Sequence, residues 1–151
     1  MLENIIKYND CAKCKFCCRF TKTNLWDVPL FTEGQKAMYS HISFQKHRGL
    51  WTPQLIEESL LYICPFLDAS SGCVLGKLKP FDCNLWPFYV MKKDSRIFIV
   101  SCDYCPAVNK IDCEKQLSTL YAYRDNIWEI CQKYPGYIGE YKNGFQIIFE
   151  I

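Results

Sequence analysis

The sequence predicts an α+β fold: a small cysteine-rich single domain with short antiparallel hairpins and two or three helices, spanning residues 1–151. Three observations carry this reading. Tight-turn dipeptides separate short apolar stretches, a few segments have helical periodicity, and most of the cysteines fall in the loops between them. A chain of 151 residues that is 50% apolar has enough material for one moderate core. Its 10 Phe, 10 Tyr and 4 Trp place it among folded rather than disordered sequences.

In chain order, residues 11–20 form a cysteine-rich loop. Residues 33–48 read as a helix, with Glu33 near its start and Gly49 as its stop. Pro53 opens a second short helix, with Leu55, Ile56 and Leu60 on its apolar side. Residues 61–67 read as a strand, and Asp68-Ala69-Ser70-Ser71-Gly72 as a turn into Cys73-Val74-Leu75. A compact aromatic loop carrying Cys83 follows Pro80. Residues 88–92 and 96–101 form a hairpin around Lys93-Asp94-Ser95. The longest helix runs from about Asp112, its N-cap, to Tyr134, where Pro135-Gly136 stops it. Tyr137–Tyr141 and Phe145–Phe149 flank Asn143-Gly144, a type I′ hairpin signal.

The charge balance excludes several classes of partner. A formal net charge of +2 is too weak a footprint for nucleic acid. The longest aliphatic runs, such as Ile97-Phe98-Ile99-Val100, are far short of a membrane span. Met1-Leu2-Glu3-Asn4 begins no export signal, so a cytoplasmic location is expected. Acids and histidines are scattered without catalytic spacing, and no glycine-rich cofactor loop follows a strand. His41 and His47, six residues apart, would face different sides of a helix and are read as surface or core residues.

The 11 cysteines decide the reading. Disulfides are disfavoured by the odd count and the absent export signal. Cys17 and Cys18 are adjacent, about 3.8 Å apart at Cα, closer than the usual disulfide span of about 4.4–6.8 Å. Two cysteines need no special chemistry. In the long helix the stripe Cys113, Leu117, Leu120, Tyr121, Ile127, Trp128, Cys131 steps mostly by three or four, which sends Cys113 and Cys131 to the core. The other nine, Cys11, Cys14, Cys17, Cys18, Cys64, Cys73, Cys83, Cys102 and Cys105, lie in loops or at strand ends.

Their spacing is that of metal ligands. Two-residue gaps separate Cys11, Cys14 and Cys17, and again Cys102 and Cys105, which lets backbone turns aim successive sulfurs at one centre. These nine are expected to converge and to staple the N-terminal loop to residues 64–105. Neighbouring side chains diverge in general, so Cys17 and Cys18 are expected to serve two metal atoms, or one of them to stand behind the ligands or to be a reactive thiol. Lys13, Lys15, Arg19 and Lys22 either compensate thiolate charge or form a solvated basic loop.

The run Cys11-Ala12-Lys13-Cys14-Lys15-Phe16-Cys17-Cys18 resembles the signature of the CxxCxxCC family, the YkgJ-like zinc- or iron-chelating cysteine-cluster proteins. So do Cys64-Pro65-Phe66-Leu67, the following Cys73, and Lys79-Pro80-Phe81-Asp82-Cys83-Asn84-Leu85-Trp86-Pro87-Phe88. Lys79 and Asn84 stand where the family has arginines, which removes two guanidinium forks and with them the support for an anion-binding role. The family's last cysteine is best matched by Cys105-Pro106-Ala107, although Cys102 could take that place instead. The resemblance covers about residues 11–108, and the final helix and hairpin, about 112–150, lie outside it.

The resemblance implies metal binding, and the residues leave two occupants open. A bacterial ferredoxin run pairs C-x2-C-x2-C with a remote cysteine that precedes proline. Here Cys64-Pro65 and Cys105-Pro106 both offer that, and Phe16, Phe20, Phe66, Phe81, Trp86, Phe88 and Tyr104 could form a shell that limits water. This favours an iron–sulfur cluster, of 4Fe–4S type, in a redox or cluster-dependent role. The alternative is zinc in two closed four-cysteine sites, which would make the chain an interaction module stapled by metal. A third reading follows from a flagellin lysine-N-methylase that shares the cysteine run: an accessory subunit or relative of a protein lysine methylase. The expected partner is another protein or a redox partner, with neither nucleic acid nor membrane involved.

Overall fold

A computed structural model of the chain describes residue 12 and residues 14–151. The class is α+β, as expected: among the described residues, four short α-helices accompany eleven strands in small sheets, nearly all antiparallel. The chain divides between Asn84 and Leu85 into two compact units. No helix among the described residues is long and apolar enough to cross a membrane.

The first unit is built from hairpins. Strand β1 (Arg19–Phe20) pairs with β5 (Leu61–Ile63), which also pairs with β4 (Ile56–Glu58). Strands β2 (Phe44–His47) and β3 (Leu50–Pro53) form a second hairpin, and β6 (Leu67–Asp68) and β7 (Gly72–Cys73) a third. Helix α1 is Glu33–Ala37 and α2 is Phe81–Leu85.

Two expected helices are corrected here. The helix expected over 33–48 extends only from Glu33 to Ala37, opened by a capping box between Thr32 and Gln35. Its second half is β2, because Arg48 and Gly49 both adopt positive φ, at 51° and 80°. That is the pattern of a two-residue hairpin loop, so Gly49 reverses the chain instead of ending a helix. The helix expected after Pro53 is also absent. Pro53 closes β3, and Ser59-Leu60, with Ser59 at φ 56°, turns β4 into β5. Leu60 is 88% exposed at that turn, so it belongs to no buried helical face.

The core of this unit holds Phe20, Val28, Phe31, Cys64, Phe66 and Leu75. Ring centroids of Phe31 and Phe66 lie 5.3 Å apart, and Tyr39 meets Phe66 edge-on at 4.9 Å. Phe31 is held by reciprocal backbone hydrogen bonds with Trp51, at 2.7 and 2.9 Å. Burying each of these phenylalanines is worth about 1.5–3 kcal/mol.

The second unit centres on the expected hairpin. Strands β8 (Phe88–Lys93) and β9 (Arg96–Ser101) are joined by Asp94 and Ser95, both at positive φ. Strand β10 (Gly139–Glu140) runs parallel to β8, and β11 (Gln146–Glu150) antiparallel to β9, giving the order β10-β8-β9-β11. The hairpin expected at Asn143-Gly144 is therefore absent. The turn forms, with Gly144 at φ 95°, but its two arms take opposite edges of the β8–β9 pair. The long C-terminal helix is two helices, α3 (Cys113–Ala122) and α4 (Arg124–Lys133), broken at Tyr123 by a non-helical backbone of φ −104°, ψ 3°.

That break divides the stripe read from the sequence. Leu120, Ile127 and Cys131 are buried, while Leu117, Tyr121 and Cys113 are exposed. Cys131 is a core residue as expected, and Cys113 is not.

Candidate metal centre

Backbone register assembles the first unit's cysteines. In the β1–β5 pair, Arg19 faces Ile63, so the next residues out, Cys18 and Cys64, meet at its end. There the Cys64 N–H donates to the Cys18 carbonyl at 2.9 Å. The Cys64-Pro65-Phe66-Leu67 stretch then turns tightly, Leu67 N–H donating to the Cys64 carbonyl at 3.0 Å, and passes into β6. Its partner β7 ends at Cys73, opposite Leu67. Cys83 sits on α2, where the Asp82 carboxylate accepts from Leu30 N–H at 2.7 Å and Cys83 N–H at 2.9 Å, tying that helix to the 28–31 segment.

The expected divergence of Cys17 and Cys18 is not seen. A 3-10 turn spans Phe16–Cys18, entered through Lys15 in the left-handed conformation at φ 56°. In that turn the Cys18 thiol is in hydrogen-bond contact with both Cys17 and Cys73. Those bonds lower the Cys17 and Cys73 thiols, Cys73 to about 6 against the opposing effect of burial. They raise Cys18 in turn. One S–H cannot serve two acceptors at once, so the three sulfurs share protons as a unit. The Lys79 ammonium adds a further downward pull on Cys17 and Cys73.

Cys64 and Cys83 lie within electrostatic reach of this trio. Burial pushes Cys64 up to about 12, with Cys73 and Cys17 adding to it. Burial also raises Cys83 well above the ordinary thiol range, reinforced by Asp82 and by Cys17, Cys64 and Cys73. Asp82 itself is raised to about 7 by desolvation, which its two backbone donors only partly oppose.

The remaining expected ligands are placed differently. Cys14 is exposed, and Cys11 lies outside the described residues. Cys102 and Cys105 belong to the second unit and are both buried. The Cys102 thiol donates toward the Pro87 carbonyl at 3.6 Å and the Tyr89 hydroxyl at 3.9 Å, the setting of a packed cysteine. No described cysteine is in a disulfide.

The donor set fits a thiophilic metal. Five sulfurs, those of Cys17, Cys18, Cys64, Cys73 and Cys83, gather in one unit against an aromatic core, with a lysine beside them. The Asp82 carboxylate is spent on backbone donors, and that of Asp27 lies within electrostatic reach of Cys17. Thiolates crowded in apolar surroundings repel one another and are poorly solvated, and a bound cation relieves both costs. Among the described residues no three His, Cys, Asp or Glu side chains stand as a ready-made coordination shell. Cys17, Cys18 and Cys73 are neighbours in hydrogen-bond contact, with Cys64 and Cys83 in electrostatic reach, a different arrangement from ligands set around a common point.

Sequence reasoning did not single out Gly72, Asp82 or the Ala69 carbonyl. The 68–72 stretch read only as a turn, yet it receives the N-terminal loop. The Lys15 ammonium donates to the Ala69 carbonyl, and Ala12 packs on Gly72. No protein-family model matches the chain, and no curated protein or solved structure is significantly similar to it. What defines the class is therefore the chain's own geometry: a small α+β fold that gathers cysteines from the turn before β1, the end of β5, strand β7 and helix α2.

Proposed function

We propose that the chain is a metal-binding cysteine-cluster protein that holds an iron–sulfur cluster, of 4Fe–4S type, in a redox or cluster-dependent role. The observation that carries this is the contact of Cys18 with Cys17 and Cys73, packed on the same core as Cys64. Cys14, Cys17, Cys18, Cys64, Cys73 and Cys83 would supply the thiolates, with Cys11 preceding them in the same run. Such a cluster would supply one-electron chemistry. The chain's residues would fix its surroundings: Phe20, Phe31 and Phe66 exclude water on one side, and Lys79 offsets thiolate charge. Thiols kept reduced for this purpose suit a cytoplasmic location and a protein redox partner.

A structural zinc site is the second reading. It is favoured by the brevity of β1, β6 and β7, two residues each, which leaves the cysteine-bearing segments little regular structure of their own. Purification under nitrogen separates the two. Brown protein with iron and acid-labile sulfide in matching amounts is the expected result. Colourless protein with stoichiometric zinc would transfer the site to the second reading, and protein carrying no metal would end both.

A further inference from the structure

A cleft in the first unit, lined from the 25–28 segment, β2, β3 and β5, has no cysteine among its described lining residues. It encloses about 740 Å³, within the usual range of about 300–1,000 Å³ for small-molecule sites. Trp26, Phe44 and Tyr62 give it aromatic walls, and Leu25 and Leu55 add aliphatic surface. Ser43, Gln45 and Gln54 contribute neutral polar groups, with His47 also in the lining. Among the described residues, its lining includes no Asp, Glu, Lys or Arg.

We propose that this cleft binds a small, flat, uncharged aromatic molecule that carries a carbonyl group. Aromatic walls reward a ring system by stacking and area burial. Walls without Asp, Glu, Lys or Arg leave only the His47 imidazole to face a charged ligand, and desolvating an unpaired charge is costly. Side-chain amides both donate and accept, so Gln45 and Gln54 can serve a carbonyl edge that a bare hydrocarbon would leave unmatched. The site is built on paired strands: Phe44 faces Pro53 and Gln45 faces Thr52 across the β2–β3 hairpin. The Gln54 N–H donates to the Ser43 carbonyl at 2.7 Å, closing the strand end beside the cleft.

Position gives the cleft a link to the cysteines. Val28 lines it and belongs to the core that contains Cys64, and Phe44, Leu55 and Tyr62 line it and pack against that core. The same apolar layer therefore backs both the cleft and the sulfur group. Binding in the cleft does not depend on which metal the sulfurs hold, or on whether they hold one.

Calorimetric titration of the full chain with 2-acetylnaphthalene, a neutral planar ketone, tests this. Its carboxylate relative 2-naphthoate is the comparison. One-site saturation by the ketone is expected, with the carboxylate at least about tenfold weaker, a difference of about 1.4 kcal/mol. Ser43→Trp places an indole in the cleft and should weaken the ketone by about tenfold or more. Gln54→Lys, at an exposed position that folding tolerates, should narrow the preference for ketone over carboxylate to about threefold or less by supplying a counter-ion. Absence of saturable ketone binding, unchanged binding in Ser43→Trp, or an unchanged preference in Gln54→Lys would each overturn the proposal.

Discussion

Gly72 and Ala12 approach so closely that a Cβ added at Gly72 would lie 2.6 Å from the Ala12 Cα and 2.9 Å from its Cβ. Gly72 also has φ +82°, a conformation that glycine adopts without strain. The turn before it is fixed by Asp68, whose carboxylate accepts from the N–H groups of Ser70 at 2.9 Å and Ser71 at 2.7 Å, and from both hydroxyls. The same hairpin ends at Cys73. The glycine is thus where the N-terminal cysteine loop rests on the element that delivers Cys73.

Gly72→Ala should therefore damage the centre as well as the fold. Left-handed backbone costs a non-glycine residue about 1–2 kcal/mol, and the clash with Ala12 backbone must be relieved by moving the loop. Bound metal per chain should fall together with the melting temperature. Gly34→Ala is the control. It lies in α1 with nothing within 4 Å of an added Cβ, and should stabilise by about 0.5–1 kcal/mol with metal unchanged. Full metal content in Gly72→Ala would show that the loop's rest on the hairpin is dispensable.

The sulfur trio makes a prediction about coupling. Cys18 touches both Cys17 and Cys73, so Cys18→Ser should disturb the same group that Cys17→Ser does. Serine keeps the volume but is a poor ligand for a soft metal. Each single variant should lose most of its metal, and the double variant should be scarcely worse, because residues in contact are non-additive. Independent, additive partial losses, measured as metal per chain, would separate the two cysteines.

Cys113 and Cys131 should differ in reactivity. Cys131 is fully buried in α4 and burial raises its thiol from 9.0 to about 12, while Cys113 is exposed at the start of α3. Iodoacetamide at mildly alkaline pH should label Cys113 and spare Cys131 in the native chain, as followed by peptide mass spectrometry. A folded-state thiol pKa above the unfolded one disfavours the native state once the unfolded thiol ionises. Stability should therefore fall as pH rises from about 9 to about 12, and Cys131→Ala should remove that part of the fall. Equal labelling of the two cysteines would contradict this placement.

Local signals in the sequence match the structure where the structure itself is local. Asp94-Ser95 and the 68–72 stretch turn where their residues suggest, because positive φ and carboxylate capping are decided within a few residues. Gly49 and Asn143-Gly144 also mark true turns. What they do not encode is the partner. Gly49 closes a hairpin that helical spacing had concealed, and the arms around Gly144 pair with β8 and β9, a choice made by open sheet edges far away in sequence. The break at Tyr123 has no proline or glycine to announce it, so the sequence pattern carries one stripe through it and assigns the exposed Cys113 to the core. Among the cysteines, loop position and spacing set nine apart from Cys113 and Cys131, and of those nine the structure groups Cys17, Cys18, Cys64, Cys73 and Cys83 in the first unit while Cys102 and Cys105 lie in the second. The contact between Cys17 and Cys18 was illegible because it depends on one left-handed residue, Lys15, just before the turn.

The central claim is that cysteine sulfurs alone hold a metal in the first unit. X-ray absorption at the edge of the bound metal in the full, anaerobically purified chain reads its ligands directly. The account predicts a first shell of sulfur only, with distances of about 2.3 Å if the metal is zinc. A second shell of iron would be added if the metal is iron. A first shell containing nitrogen or oxygen from protein side chains, or a chain with no bound metal to measure, would contradict it.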